Sequence, residues 1–133
     1  MLDEEIIRKL LEQARQALEP AYAPYSNFPV GAAVLTADGQ IFTGCNIENA
    51  SFGATICAER VAIFAAVAAG QRQFKALAVI ADTPQPVAPC GLCRQVLAEF
   101  SPDCLVIMAN LTGHHQVLTL DQLLPLAFEF QQY

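Results

Sequence analysis

Charge is scarce in this sequence. Asp, Glu, Lys and Arg make up 15% of its 133 residues, against roughly 25% in an average globular chain. Cations are the rarer sign, with seven Lys and Arg against thirteen Asp and Glu and a net charge of -6. That shortage disfavours a partner made of phosphates, because non-specific nucleic-acid affinity comes mainly from basic side chains neutralising the backbone. A small neutral ligand fits better. Long apolar runs are missing too: the longest, around Val61 to Ala69, ends at Gly70, short of the roughly 20 residues that span a bilayer. The opening Met1-Leu2-Asp3-Glu4-Glu5 is acidic where a secretory leader is basic, so a cytoplasmic protein without membrane contact is expected. No repeat, linker or low-complexity tract divides the chain, and residues 1–133 are expected to form one domain.

Apolar residues, in contrast, are plentiful. They reach 54%, above the usual share of about 45 to 50%, and a chain this short has little interior in which to hide them. Burial between identical subunits is the expected outlet. Five cysteines are present. In a reducing compartment they are read as metal ligands, nucleophiles or small buried hydrophobes before they are read as disulfides.

Periodicity sorts the chain into alternating elements. Ile6, Ile7, Leu10, Leu11, Ala14, Ala17 and Leu18 fall at helical spacing behind acidic residues, predicting an amphipathic helix from Asp3 to about Tyr22. Pro20 and Pro24 end it, and the stretch to Pro29 reads as a loop. Val30 to Leu35 and Ile41 to Cys45 read as a hairpin around Asp38-Gly39. Cys57 to Ala69 is apolar on nearly every face, a helix for the middle of a fold, with Gly70 as its stop. Strands are expected at Phe74 to Ala81, Cys104 to Ala109 and Gln116 to Thr119, a helix at Cys90 to Phe100, and a short last helix capped by Asp121. An opening hairpin followed by helical crossovers makes an α/β sandwich with a mixed five-stranded sheet.

Two short motifs carry the chemistry. Pro89-Cys90-Gly91-Leu92-Cys93 opens a helix, and the i, i+3 spacing sets both sulfurs on one face, near backbone N–H groups that favour thiolates. Alone, this C-x-x-C suits redox chemistry, a structural zinc clip or half of a catalytic zinc site equally. Cys57-Ala58-Glu59 opens the other buried helix. Two helix starts can then converge on one metal, supply three thiolates and leave a fourth position open, as in catalytic zinc. Glu59 could be a surface carboxylate of a first helical turn, but its apolar neighbours argue for burial, which is costly for a carboxylate without a task. Cys45 and Cys104 adjoin strands and read as packed residues. His114 and His115 follow Gly113 in a turn and are assigned no metal.

Cys57-x-Glu59 followed by Pro89-Cys90-x-x-Cys93 resembles the signature of the zinc nucleobase deaminases. Within that superfamily the chain is similar to the small homotetrameric cytidine deaminases, through residues 25–33, 44–49, 57–60, 89–95 and 123–125. The resemblance implies a three-layer α/β/α sandwich and hydrolytic deamination of cytidine and 2'-deoxycytidine to uridine and 2'-deoxyuridine, releasing ammonia in pyrimidine salvage. It implies one zinc ion per subunit on Cys57, Cys90 and Cys93, with water activated there attacking C4 of cytosine and Glu59 shuttling the protons. Asn46 and Glu48 would bind the ribose hydroxyls, their alternation putting both on one face. Phe28 would be a platform for the base, Ala58 a further substrate contact, and Phe128 the aromatic that members extend into a neighbouring subunit's site. Arg60 would offset the net negative charge of three thiolates and Zn²⁺, the alternative being a surface ion pair. Phe52 stands where related enzymes have a Tyr, so one polar contact is lost. A nucleoside antibiotic such as blasticidin S is the neighbouring substrate choice, against which Asn46-Ile47-Glu48 argues for ribose. A non-enzymatic structural zinc module and a redox Cys90–Cys93 pair remain as alternatives of other classes.

Overall fold

In a computed structural model, which describes residues 2–130, the chain begins with helix α1, Glu4–Leu18. Asp3 caps it by accepting the Ile6 amide at 2.9 Å, and Glu4 and Glu5 complement the positive end of the helix dipole. The helix stops short of Tyr22. Pro20 has no N–H for the Gln16 carbonyl, which takes the Glu19 amide instead.

Strands β1 (Val30–Thr36) and β2 (Ile41–Cys45) form the expected hairpin, with Gly39 at φ 93° in its turn. Helix α2 (Ala58–Ala68) leads to β3 (Phe74–Ala81), and α3 (Gly91–Phe100) crosses over to β4 (Leu105–Asn110). Strand β5 (His115–Thr119) and a single-turn helix α4 (Leu120–Leu123) follow. The sheet order is β2-β1-β3-β4-β5, with β3 and β4 parallel and every other pair antiparallel. This is the mixed five-stranded sheet expected.

Two corrections concern its far end. Thr119, not Asp121, caps α4: its hydroxyl accepts the Gln122 amide while the Gln122 side chain accepts the Thr119 amide, and Asp121 lies within the first turn. His115 belongs to β5, opposite Ala109, so only His114 sits in the turn.

Alternation along the central strands builds two cores. Ala32, Val34, Leu77, Val79, Val106 and Met108 face α2 and α3, whereas Ala33, Leu35, Ala76, Ala78, Ile80 and Ile107 face α1. Helices therefore cover both faces, in three layers.

Two glycines allow the close approach. A Cβ on Gly31 would lie 2.0 Å from the Ala14 carbonyl of α1; one on Gly44 would lie 2.6 Å from the Ala58 carbonyl and the Ala62 nitrogen. The first turn of α2 thus rests directly on β2. Gly70 (φ 95°) closes the helix, its amide and that of Gln71 bonding the Val67 and Ala66 carbonyls in a Schellman arrangement.

Candidate metal and substrate site

Cys57 and Cys90 are the N-caps of α2 and α3, and neither spends its side chain on capping. Both sulfurs are left for other partners at the positive ends of two helices. Cys57 Sγ lies 3.6 Å from Cys90 Sγ, and Cys90 Sγ lies 3.4 Å from Cys93 Sγ one turn further along α3. All three sulfurs fall within 4.8 Å of one another, the one group of His, Cys, Asp or Glu among the described residues close enough to hold an ion. Sulfurs about 2.3 Å from a tetrahedral zinc sit roughly 3.8 Å apart, so the Cys57–Cys90 and Cys90–Cys93 pairs come within a few tenths of an ångström of zinc spacing. A disulfide needs about 2.05 Å, and all five cysteines are free thiols.

Charge is unevenly shared within the cluster. Hydrogen bonding to Cys93 draws the Cys57 thiol down to about 5, against the effect of burial and with help from Arg60. Cys93, buried and donating to Cys57, is pushed the other way. Arg60 Nη2 lies 3.5 Å from Cys57 Sγ, so its partner is a sulfur and not a surface carboxylate. Its Nε is buried without a hydrogen-bond partner, leaving the guanidinium committed to the cluster.

Glu59 is 4% exposed. Burial lifts its pKa to about 7, and negative charge on Cys57 adds to the rise. It lines a cavity of about 260 Å³ together with Cys57, Cys90, Ala58, Phe28, Asn46 and Glu48. Seven residues expected from the sequence to serve metal or substrate therefore share one hollow. A larger hollow of about 1010 Å³ opens beside Lys75 and Asp103 but gathers no comparable chemistry.

The wall opposite the sulfurs is an extended segment. Asn46 and Glu48 bond the Tyr22 backbone on one side, and Ile47 bridges Ile56 on the other. The period of two turns the Asn46 and Glu48 side chains to the same face. Both are already engaged. Asn46 Oδ1 accepts the Val30 amide and its Nδ2 donates to the Phe28 carbonyl, each at 2.9 Å. Glu48 accepts the Tyr25 amide at 2.9 Å, the Ser26 amide at 3.1 Å and the Ser26 hydroxyl. That hydroxyl, then the backbone amides, hold the Glu48 carboxyl below its ordinary range against a partial burial effect.

Phe128 lies apart, its ring edge-on to Phe130 and its carbonyl accepting from Gln95 Nε2 at 3.0 Å; it does not line this cavity. Phe52 packs edge-on against Tyr25, 5.9 Å between centroids. Cys104 is buried with its thiol pushed up to about 12, and burial raises Cys45 as well, in keeping with packed residues. His114 bonds Thr112 within its turn.

Sequence reasoning missed Ser26 and Arg94. Arg94 Nε donates to the Pro89 carbonyl at 2.9 Å and Nη1 to the Leu123 carbonyl at 2.7 Å, tying the turn before Cys90 to the C-terminal segment. Both residues lie inside the stretches that carry the family resemblance, but their partners are distant in sequence.

The family described as "Cytidine and deoxycytidylate deaminase zinc-binding region" matches residues 4–109. A cytidine deaminase of Sporosarcina psychrophila is 54% identical over 92% of this chain and 90% of its own. One of Halalkalibacterium halodurans is 55% identical over 90% and 91%. The crystal structure of a cytidine deaminase from Burkholderia pseudomallei superposes with a TM-score of 0.88 at 52% identity, over 91% of this chain and 98% of that one.

Proposed function

This chain belongs to the zinc-binding cytidine and deoxycytidylate deaminases, and we propose that it hydrolyses cytidine and 2'-deoxycytidine to uridine and 2'-deoxyuridine, releasing ammonia, as a cytoplasmic enzyme of pyrimidine salvage. The observation that carries this reading is the meeting of a three-thiol cluster with a buried carboxylate at one cavity, which Cys57, Cys90 and Glu59 line together with Asn46 and Glu48. When bound to Cys57, Cys90 and Cys93, zinc supplies the Lewis acidity that makes water a nucleophile at neutral pH.

The remaining work falls to the chain's own groups. Glu59, poised near neutrality by burial, accepts a proton from the attacking water and passes it to N3 of cytosine. It then takes the second proton from the new C4 hydroxyl and gives it to the amino group, which leaves as ammonia while the C4 carbonyl forms. A carboxylate with an ordinary pKa would take the first proton less readily. Arg60 offsets the charge of the thiolates, which exceeds that of Zn²⁺ by one. Phe28 stacks on the base, Ala58 borders it at the start of α2, and Asn46 and Glu48 hold the ribose. Each retains capacity: an amide has two N–H donors and a carboxylate about four acceptor sites, of which one and three respectively are used.

The working form we propose is a homotetramer. Phe52, Leu92, Leu126, Phe128 and Phe130 are large apolar side chains exposed on the single chain, and in the proposed assembly Phe128, which does not line its own cavity, would reach a neighbour's. Among the described residues no helix is long and apolar enough to cross a membrane, and the partners expected are nucleoside, water and further copies of the chain.

Absorbance followed as zinc-loaded protein meets cytidine, 2'-deoxycytidine, cytosine and blasticidin S is the direct test. Turnover of both nucleosides, with one ammonia per uridine formed, is expected. Turnover of blasticidin S in the absence of either nucleoside's would overturn the substrate assignment.

A further inference from the structure

Ser26 has one hydroxyl proton, and it goes to Glu48. The same oxygen accepts the Phe28 amide at 3.0 Å. The Phe28 carbonyl is held in turn by Asn46. The peptide groups on both sides of Phe28 are thus fixed by side chains that border one cavity with it: Ser26, Asn46 and, through Ser26, Glu48. Asn27 between them adopts φ 56°, a left-handed bend that Asn tolerates better than most residues. That bend is held by the bonds from Ser26 and Asn46 and by that of the Asn27 amide to the Ala23 carbonyl at 2.9 Å.

We propose that Ser26 is a positioning residue for nucleoside binding: its hydroxyl bridges the Glu48 carboxylate and the Phe28 backbone, so that the groups meeting sugar and base are held as one preorganised unit. The inference rests on the nucleoside reading above and names a residue acting on the same site.

The carboxylate receives three donors from two successive residues and none from a cation. It is therefore held ionised and in one orientation, with about one acceptor site left for a hydroxyl. Removing the Ser26 hydroxyl deletes two bonds at once, the one it donates and the one it accepts. Ser26 lies in an exposed loop, so water replaces both and the fold survives. What returns is freedom of the Phe28 segment and of the Glu48 side chain, and that freedom must be given up again on binding. The cost falls on capture of the nucleoside, not on the proton transfers at Glu59.

The test is steady-state kinetics on the zinc-loaded protein. Ser26→Ala is expected to raise KM for cytidine about tenfold while kcat stays within about threefold. Ser26→Thr, which keeps the hydroxyl, should restore most of the loss. In a Glu48→Gln background Ser26→Ala should add less than about twofold, because the hydroxyl works largely through the carboxylate. Zinc content is measured on every variant and should match the parent, as should the thermal midpoints of Ser26→Ala and Ser26→Thr; the double variant is compared with Glu48→Gln alone. An unchanged KM in Ser26→Ala, or the same rise with Glu48→Gln already in place, overturns the proposal. A parent protein that binds zinc but leaves cytidine untouched overturns the nucleoside reading instead, so the two failures are distinguishable.

Discussion

The sulfurs of Cys57 and Cys90 lie 3.6 Å apart across 33 residues of sequence, each on the residue that caps a different helix. That relationship makes the metal site a joint between α2 and α3 that neither helix could form alone. Cys57→Ala and Cys90→Ala are each expected to drop zinc from one per chain to near zero and to abolish turnover. Metal analysis after dialysis checks the first outcome. A variant that retained a full equivalent of zinc would show that its cysteine is not a ligand.

The role proposed for Glu59 predicts that metal binding and chemistry can be separated. The residue shares the cavity with the sulfurs but stands outside the cluster of ligand atoms. Glu59→Gln is therefore expected to keep its zinc and to lose about a thousandfold or more in kcat, near the upper range for a general acid–base group. Turnover near the parent value in the zinc-replete variant would remove Glu59 from its role as proton shuttle.

Much of this site was legible in the sequence because its ligands are local to helix starts. A cysteine just before an apolar helical run, and a pair one turn apart, fix where the sulfurs point before any tertiary contact is known. Alternation likewise placed Asn46 and Glu48 on one face. What was not legible depends on contacts between distant segments: Glu48 takes the hydroxyl of Ser26 across 22 residues, and Arg94 reaches the Leu123 carbonyl across 29. The misassigned cap of α4 has a local cause. Thr119 and Asp121 are both capping residues, and only the end of β5 decides which one stands at the boundary.

Thiol reactivity follows from the same geometry. Cys104 is buried with its pKa raised to about 12, so almost none of it is thiolate at neutral pH. Alkylation of the native zinc-loaded protein should leave Cys57, Cys90, Cys93 and Cys104 unmodified. Chelation should then open Cys57 and Cys90 first, and only denaturation should open Cys104. Mass spectrometry of the alkylated peptides reads the order, and early labelling of Cys104 would contradict its packing.

Glu48 predicts an acid-sensitive tether. Its folded-state pKa is lowered, chiefly by the Ser26 hydroxyl, from an ordinary 4.5. A group depressed in this way stabilises the fold fully above its unfolded pKa, and the contribution is lost as pH falls through the lower folded value. The gap in thermal midpoint between the parent and Glu48→Gln should be constant at neutral pH and should close below about pH 4.5. A gap that widened in acid would mean that the carboxyl bonds its partners in the protonated form.

Gly44 tests whether the sheet sets the position of the metal site. A Cβ there would meet the Ala58 carbonyl and the Ala62 nitrogen at 2.6 Å, and both are backbone atoms of α2 that cannot rotate away. Gly44→Ala must therefore push the first turn of α2 off β2, at a cost of about 1–3 kcal/mol for overpacking. The displaced turn carries Cys57 and Glu59, whereas Cys90 and Cys93 ride on α3 and stay where they are. Zinc affinity and kcat should fall together, by more than the loss of thermal stability accounts for. Gly39→Ala is the control: its Cβ would meet nothing within 4 Å, so at φ 93° it strains the hairpin turn and leaves α2 in place. If Gly39→Ala weakened zinc binding as much as Gly44→Ala at equal loss of stability, the contact between β2 and α2 would have no special part in building the site.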